Sequence, residues 1–183
     1  FVNHKRTKYK TSFYYDINEL KDEKHDRVIF HLSNNQKLIY NDIRKFGFIK
    51  FIKRVNLDQN AHLKHLGPEP LSPKFNIGYF KNYIKDKERT IKNILMDQKF
   101  VSGLGNIYVN EILFFSGVRP AKKLKKLKNI EIEKIIKFSK SIISKAIILG
   151  GSSIKNFSSS SGKKGSFQQH LSVYGKEGEN CPK

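Results

Sequence analysis

Around Pro68, Pro70 and Pro73 the hydrophobic pattern of this 183-residue chain changes period, so no single kind of regular layer can run across that point. Upstream, from Thr11 to Lys53, apolar residues come in short alternating runs: "SFYYD", "RVIFHLS" with Val28, Phe30 and Leu32 on one side, "KLIYND", and "GFIKFIK" with Phe48 and Ile52. Period-two runs broken by Asn34-Asn35 and by Arg44 to Gly47 predict antiparallel strands and hairpins. Downstream the period becomes helical. Helices are predicted over Ile77 to Ile84, around Thr90 to Met96, over Asn106 to Ser116 with Gly117 as its stop, and over Ile130 to Leu149. The last carries Ile132, Ile135, Ile136, Ile143, Ala146 and Ile147 as an apolar stripe and ends at Gly150-Gly151. The Ser- and Gly-rich stretch Phe157 to Gln169 predicts a mobile loop, and "HLSVYGKEGENC" a short strand and turn. The fold class is therefore α+β, with a linker expected at Gly67 to Pro73.

Charge narrows the partners. A formal charge of +20 and a pI of about 10.0 make the whole chain a cation, which favours an anionic polymer such as nucleic acid. Lysine far outnumbers arginine, a skew that AT-rich coding DNA also produces, so a generic solvated basic surface stays open as the alternative. The lysines of "AKKLKKLKN", Lys122 to Lys128, are expected to solvate a helix entrance rather than form a second DNA site. No apolar run approaches the roughly 20 residues that span a bilayer, and a soluble protein of the bacterial cytoplasm is expected. The single cysteine, Cys181, is either a free thiol or the first half of a Cys-x-x-Cys knuckle. With its only methionine internal, at Met96, the chain is expected to be an internal piece of a longer one.

The stretch "VSGLGNIYVNEILFFSGVRP" carries the sharpest chemistry. The first turn of a helix leaves backbone N–H groups without partners and carries partial positive charge, so it binds phosphate where nothing blocks approach. Gly103 and Gly105 remove the blocking side chains, and Asn106 either caps the helix or donates its amide to a phosphate oxygen. An ordinary Gly-rich turn with an Asn cap accounts for the same residues. Glu111 stands among apolar neighbours, where a buried carboxylate needs donors. It is expected to brace the hairpin between the preceding short helix and its own; a catalytic acid is the alternative.

"MDQKFVSGLGNIYVNEILFFSGVRP" resembles the helix-two-turn-helix signature of the formamidopyrimidine-DNA glycosylase and endonuclease VIII family. "KHD" at Lys24 to Asp26, "YNDIRKFGF" at Tyr40 to Phe48, "HLGPEPLS" at His65 to Ser72, "GGSSIKNF" and "VYGKEGENC" resemble further family segments in the same order. The resemblance covers essentially the whole chain and is nearest the formamidopyrimidine branch. It implies the end of an N-terminal antiparallel β-sandwich over 1–66, a linker at 67–73, a helix-two-turn-helix domain with a lesion-capping loop over 74–169, and the start of a zinc finger over 170–183.

The resemblance also implies a base-excision repair enzyme that removes oxidised purines such as 8-oxoguanine from duplex DNA and nicks the abasic strand. An N-terminal proline would form the imine, assisted by the adjacent glutamate. That proline, that glutamate and a catalytic lysine are expected before Phe1, and a late-acting arginine after Lys183, so these 183 residues are expected to be inactive while keeping the DNA grip. Arg44 and Phe46 match the pair that family members wedge into the duplex once the damaged nucleotide leaves it. Ile43 and Lys45 stand where the family commonly has proline and a second arginine. His25, Lys87, Lys92 and Asn106 match DNA-backbone contacts, with Gly105 opening the turn, and Ser166 belongs to the lesion-capping loop. Cys181 becomes the first ligand of one zinc ion in the complete protein, with none held by this stretch. The expected partner is damaged double-stranded DNA, bound by a monomer without membrane involvement. A non-catalytic basic DNA- or RNA-binding module, and an endonuclease VIII-type enzyme for oxidised pyrimidines, are the alternatives.

Overall fold

The structure, a computed structural model, describes residues 23–152 and 165–182. The expected strand at "SFYYD" and most of the expected lesion-capping loop lie outside them. The described residues fall into two compact units, 23–54 and the remainder.

The first unit is a hairpin. Strand β1 (Asp26–His31) pairs antiparallel with β2 (Lys37–Asn41), with Val28 opposite Tyr40, Ile29 opposite Ile39 and Phe30 opposite Leu38. An irregularity between Asp26 and Val28 shifts the register. The turn forms where Asn34-Asn35 predicts it: Asn35 takes a left-handed φ of 61°, which asparagine tolerates, and the Asn34 side chain bonds the Gln36 backbone and side chain. "GFIKFIK" does not take up strand structure, and Phe48 and Phe51 stay exposed.

The second unit holds the helices α1 (Ile77–Ile84), α2 (Ile91–Leu95), α3 (Asn106–Ser116) and α4 (Asn129–Ile148). Each boundary has a local cause. Asn76 caps α1 by accepting from the Tyr79 N–H, Thr90 caps α2, and Gly117 ends α3 at a left-handed φ of 69°. Gly150 and Gly151, at φ 73° and 83°, stop α4. Helix α3 is apolar nearly all round and is buried through Val109, Ile112 and Leu113. It packs against Ile132, Ile135, Ile142 and Ala146 of α4, while Ile147, expected on that stripe, is 59% exposed. Phe75 and Phe80 each meet the Phe100 ring edge-on, and Tyr79 donates its hydroxyl to the Phe100 carbonyl at 2.7 Å.

The expected linker at 67–73 packs within the helical unit. Gly67 donates to the Gln98 carbonyl at 2.8 Å and the Pro68 carbonyl accepts from Ser102 at 3.1 Å. A Cβ at Gly67 would sit 2.3 Å from the Phe100 carbonyl oxygen, so only glycine lets the chain pass this close. Proline cannot donate, but its carbonyl can accept, which is how a proline-rich segment docks without forming regular structure. The predicted strand near "HLSVYG" is also absent: 165–182 is a 3-10 turn (Phe167–His170) followed by bends. Three of its amides are bonded to a carboxylate instead of a neighbouring strand.

Candidate nucleic-acid interface

Among the described residues, other groups of the protein meet the starts of α1, α2 and α4. Asn76 serves α1. At α2 the Thr90 side chain is joined by the Lys122 and Pro120 carbonyls, which accept from Ile91 and Lys92. At α4 the Glu131 carboxylate accepts from the Lys128 N–H at 2.8 Å and pairs with Lys122 Nζ at 2.6 Å. Helix α3 is different: its N-cap is Gly105, which has no side chain to offer, and its first turn carries no acid. A Cβ added at Gly103 or Gly105 would meet nothing within 4 Å, so the space in front of these amides is open. The positive end of the helix dipole and an unobstructed approach are the features that favour an anion at a helix start.

Asn106 is the first residue of α3 rather than its cap. Its Oδ1 accepts from Asn110 Nδ2 at 3.4 Å, which turns the amide so that Nδ2 is the remaining donor at the helix mouth. Lys92 shares a cleft of about 710 Å³ with Asn106, Asn110, Arg119, Tyr174 and Cys181. Arg119 was missed in the sequence; it is exposed beside this cleft and follows the glycine that ends α3. Lys87, also matched to the DNA backbone, lies with its ammonium 4.5 Å from the centre of the Tyr83 ring.

The turn between α2 and α3 is held by Gln98. Its Oε1 accepts from Gly103 N–H at 2.7 Å while its Nε2 donates to the Leu104 carbonyl at 2.8 Å, spanning the loop from inside. Gly103 adopts φ 87°, which glycine alone takes without strain. Arg89 donates to Asp97 at 2.6 Å, and Asp97 Oδ1 caps the Lys99 N–H. Burial pushes the Asp97 carboxyl up, but the Lys99 amide and the Arg89 guanidinium outweigh it and hold it below the usual aspartate range.

Glu111 therefore braces a different partner from the one expected. It is 1% exposed, and its carboxylate accepts from the Ser172, Val173 and Tyr174 N–H groups at 2.8, 2.9 and 3.0 Å. It ties α3 to the segment after Phe167–His170, while Gln98 does the work at the hairpin. A catalytic acid would need an approachable oxygen, and both of Glu111's are filled. Ser166 sits at the stem of the expected capping loop: its N–H and hydroxyl both reach the Leu149 carbonyl, at 3.0 and 3.4 Å.

In the hairpin unit Phe46 is 77% exposed and the Arg44 guanidinium lies 4.6 Å from its ring centre. His25 lies in a 3-10 turn (Glu23–His25) just before β1, with its Nδ1 3.4 Å from Arg27 Nη2. Asp42, also missed in the sequence, organises the loop that presents Arg44. The Gly47 amide, with those of Lys45 and Arg44, depresses its pKa against a smaller opposing effect of burial.

Among the described residues no three His, Cys, Asp or Glu side chains come together, and Cys181 is exposed. No helix among them is long and apolar enough to cross a membrane.

Residues 66–158 match the family model described as the formamidopyrimidine-DNA glycosylase H2TH domain. The chain is 41% identical over 158 residues to formamidopyrimidine-DNA glycosylase of Listeria innocua, covering 86% of this chain and 58% of that one. It is 43% identical over 161 residues to the protein of that name from Rickettsia massiliae, covering 88% and 57%. The chain thus spans little more than half the length of these relatives. Among solved structures, a Lactococcus lactis Fpg mutant in complex with Fapy-dG-containing DNA aligns with a TM-score of 0.80 at 36% identity, over 91% of this chain and 60% of that one. The MutM (Fpg) protein of Thermus thermophilus aligns at 0.77 and 33%, over 86% and 60%.

Proposed function

The chain belongs to the formamidopyrimidine-DNA glycosylase family, and from that membership we propose that the protein containing it excises oxidised purines, 8-oxoguanine and formamidopyrimidines, from duplex DNA and nicks the resulting abasic strand. The partner is damaged double-stranded DNA, met by a monomer in the bacterial cytoplasm. These 183 residues supply the DNA grip, and the covalent chemistry is assigned to an N-terminal proline with its glutamate, a lysine and a late-acting arginine of the complete protein.

The observation that carries this reading is the open start of α3. Its N-cap, Gly105, has no side chain to offer, and Lys92 and Asn106 flank it. Phosphate is the ligand such a mouth selects, because its oxygens accept from several amides at once. Backbone contacts of this kind set position without reading sequence, which suits an enzyme that must find a lesion in any context. Base discrimination is then left to the extruded nucleotide, with Ser166 and neighbouring backbone amides closing over it and Arg44 and Phe46 occupying the gap it leaves. In the complete protein a zinc ion held partly by Cys181 would stabilise a C-terminal finger.

Borohydride trapping of the full-length protein on an 8-oxoguanine duplex tests the chemistry. A covalent complex and a nicked strand are expected, and neither appearing would end the proposal. Faster excision of thymine glycol than of 8-oxoguanine would move the protein to the oxidised-pyrimidine branch.

A further inference from the structure

Arg44 and Phe46 sit on an exposed hairpin in which Ile43 stands where the family commonly has a rigid proline. Asp42 supplies the missing order. Its Oδ1 accepts from the Arg44 and Lys45 N–H groups at 3.0 and 2.9 Å, and its Oδ2 accepts from the Gly47 N–H at 2.8 Å and the Tyr40 hydroxyl at 3.2 Å. One carboxylate thus closes the whole loop from 42 to 47. Lys45 takes a left-handed φ of 56°, a conformation that a non-glycine residue keeps only where its surroundings over-determine it, and the bond from its own amide to Asp42 does so. A Cβ at Gly47 would fall 1.5 Å from the Tyr40 hydroxyl oxygen, so glycine is what lets that hydroxyl reach Oδ2.

The Asp42 main chain extends the frame. Its N–H donates to the His25 carbonyl at 2.9 Å and its carbonyl accepts from Arg27 Nε at 3.1 Å, while Arg27 also touches the His25 ring. A residue matched to the DNA backbone, His25, and a residue matched to the wedge, Arg44, are therefore linked through the hydrogen bonds of Asp42 and Arg27.

We propose that Asp42 is the positioning residue of the wedge: it sets Arg44 and Phe46 in their duplex-entering arrangement before DNA arrives, so that insertion orders little more than the side-chain tips. The proposal rests on reading Arg44 and Phe46 as the wedge. A loop left free would have to be ordered during insertion, which lowers the preference for a damaged site and slows its capture.

The test uses the full-length protein and a duplex carrying a tetrahydrofuran abasic analogue opposite 2-aminopurine, with an intact duplex as reference. Wild type is expected to give a fluorescence step on insertion and to prefer the abasic duplex. Asp42→Ala should slow the step and reduce that preference about tenfold. Asp42→Asn keeps an acceptor for Arg44 and Lys45 but sets an amide against the Gly47 N–H, and should fall between the two. Tyr40→Phe, which removes one bond to Oδ2, should show a smaller loss of the same kind and carries the test if Asp42→Ala does not fold. Wild-type steps and preferences in Asp42→Asn and Tyr40→Phe would overturn the positioning role and leave the wedge standing. A wild-type protein with no step and no preference would overturn the wedge, and the positioning role with it.

Discussion

Glu111 and Val173 are 62 residues apart in sequence and 2.9 Å apart in space, joined by a hydrogen bond from the Val173 N–H to a buried carboxylate oxygen. With Ser172 and Tyr174 donating to the same carboxylate, the bond fixes α3 to the chain that follows the capping-loop stem. Glu111→Ala would leave three amides without their acceptor, and hydrogen bonds to a charged group contribute about 1.5 to 3 kcal/mol each, non-additively. A loss of about 3 kcal/mol or more in urea denaturation is expected. Glu111→Gln keeps one acceptor oxygen and should lose about half as much.

Gly103 and Gly105 separate stability from binding. Gly103→Ala forces a side chain into φ 87° and should lower stability by about 1 to 2 kcal/mol. Gly105 has an ordinary φ of −116° and open space beyond its Cα, so Gly105→Ala should leave the thermal midpoint near wild type while its methyl group blocks the mouth of α3. Duplex titration by fluorescence anisotropy, run beside thermal melts, checks both. Equal affinity in Gly105→Ala and wild type would remove the phosphate from this turn.

Gln98→Ala should act on both quantities. It removes the clamp across Gly103 and Leu104, with a stability loss of about 1 to 2 kcal/mol and weaker duplex binding at every sequence. Gln98→Glu keeps the acceptor for Gly103 but repels the Leu104 carbonyl. It should rescue less than half of the effect.

Duplex binding should fall steeply between 50 and 200 mM salt, because each phosphate neutralised releases a counterion. Lys92→Ala should reduce the slope of log affinity against log salt by about one, and Arg44→Ala and Asn106→Ala should each weaken binding by about 1 to 3 kcal/mol. Affinity that ignores salt over that range would contradict the interface.

The acid limb of stability follows from Asp97. Its pKa is lower folded than unfolded, so the unfolded chain binds the proton first and stability rises with pH across that window. The contribution is complete above the unfolded value near 3.9 and disappears as pH falls through the lower folded one. For a pair as exposed as Arg89 and Asp97 it amounts to under about 1 kcal/mol. Denaturation midpoints measured from pH 6 down to 2 should show a shallower decline in Asp97→Asn than in wild type.

Residue pattern alone determined the change from strands to helices near Pro68, the limits of α1 and α3, the β1–β2 turn at Asn34-Asn35 and the openness of "GLGN". These depend on local physics: the period of apolar residues, the φ that glycine permits, and which residues can cap. Tertiary structure decided what distance along the chain conceals. Sequence marked Glu111 as a buried carboxylate in need of donors, but the donors came from Ser172 to Tyr174, brought there by the packing of α3 on α4 and the closing turn. The docking of the proline segment on that turn was equally invisible, since a hydrogen bond between chain-distant groups leaves no periodic trace, and the Gln98 clamp, though only five and six residues long, depends on the φ of Gly103 that folds the turn back on it. Even Asp42, only a few residues from Arg44, was legible as a turn residue and not as the organiser of the loop, because its role depends on Tyr40, Gly47 and the register of the β1–β2 ladder converging on one carboxylate.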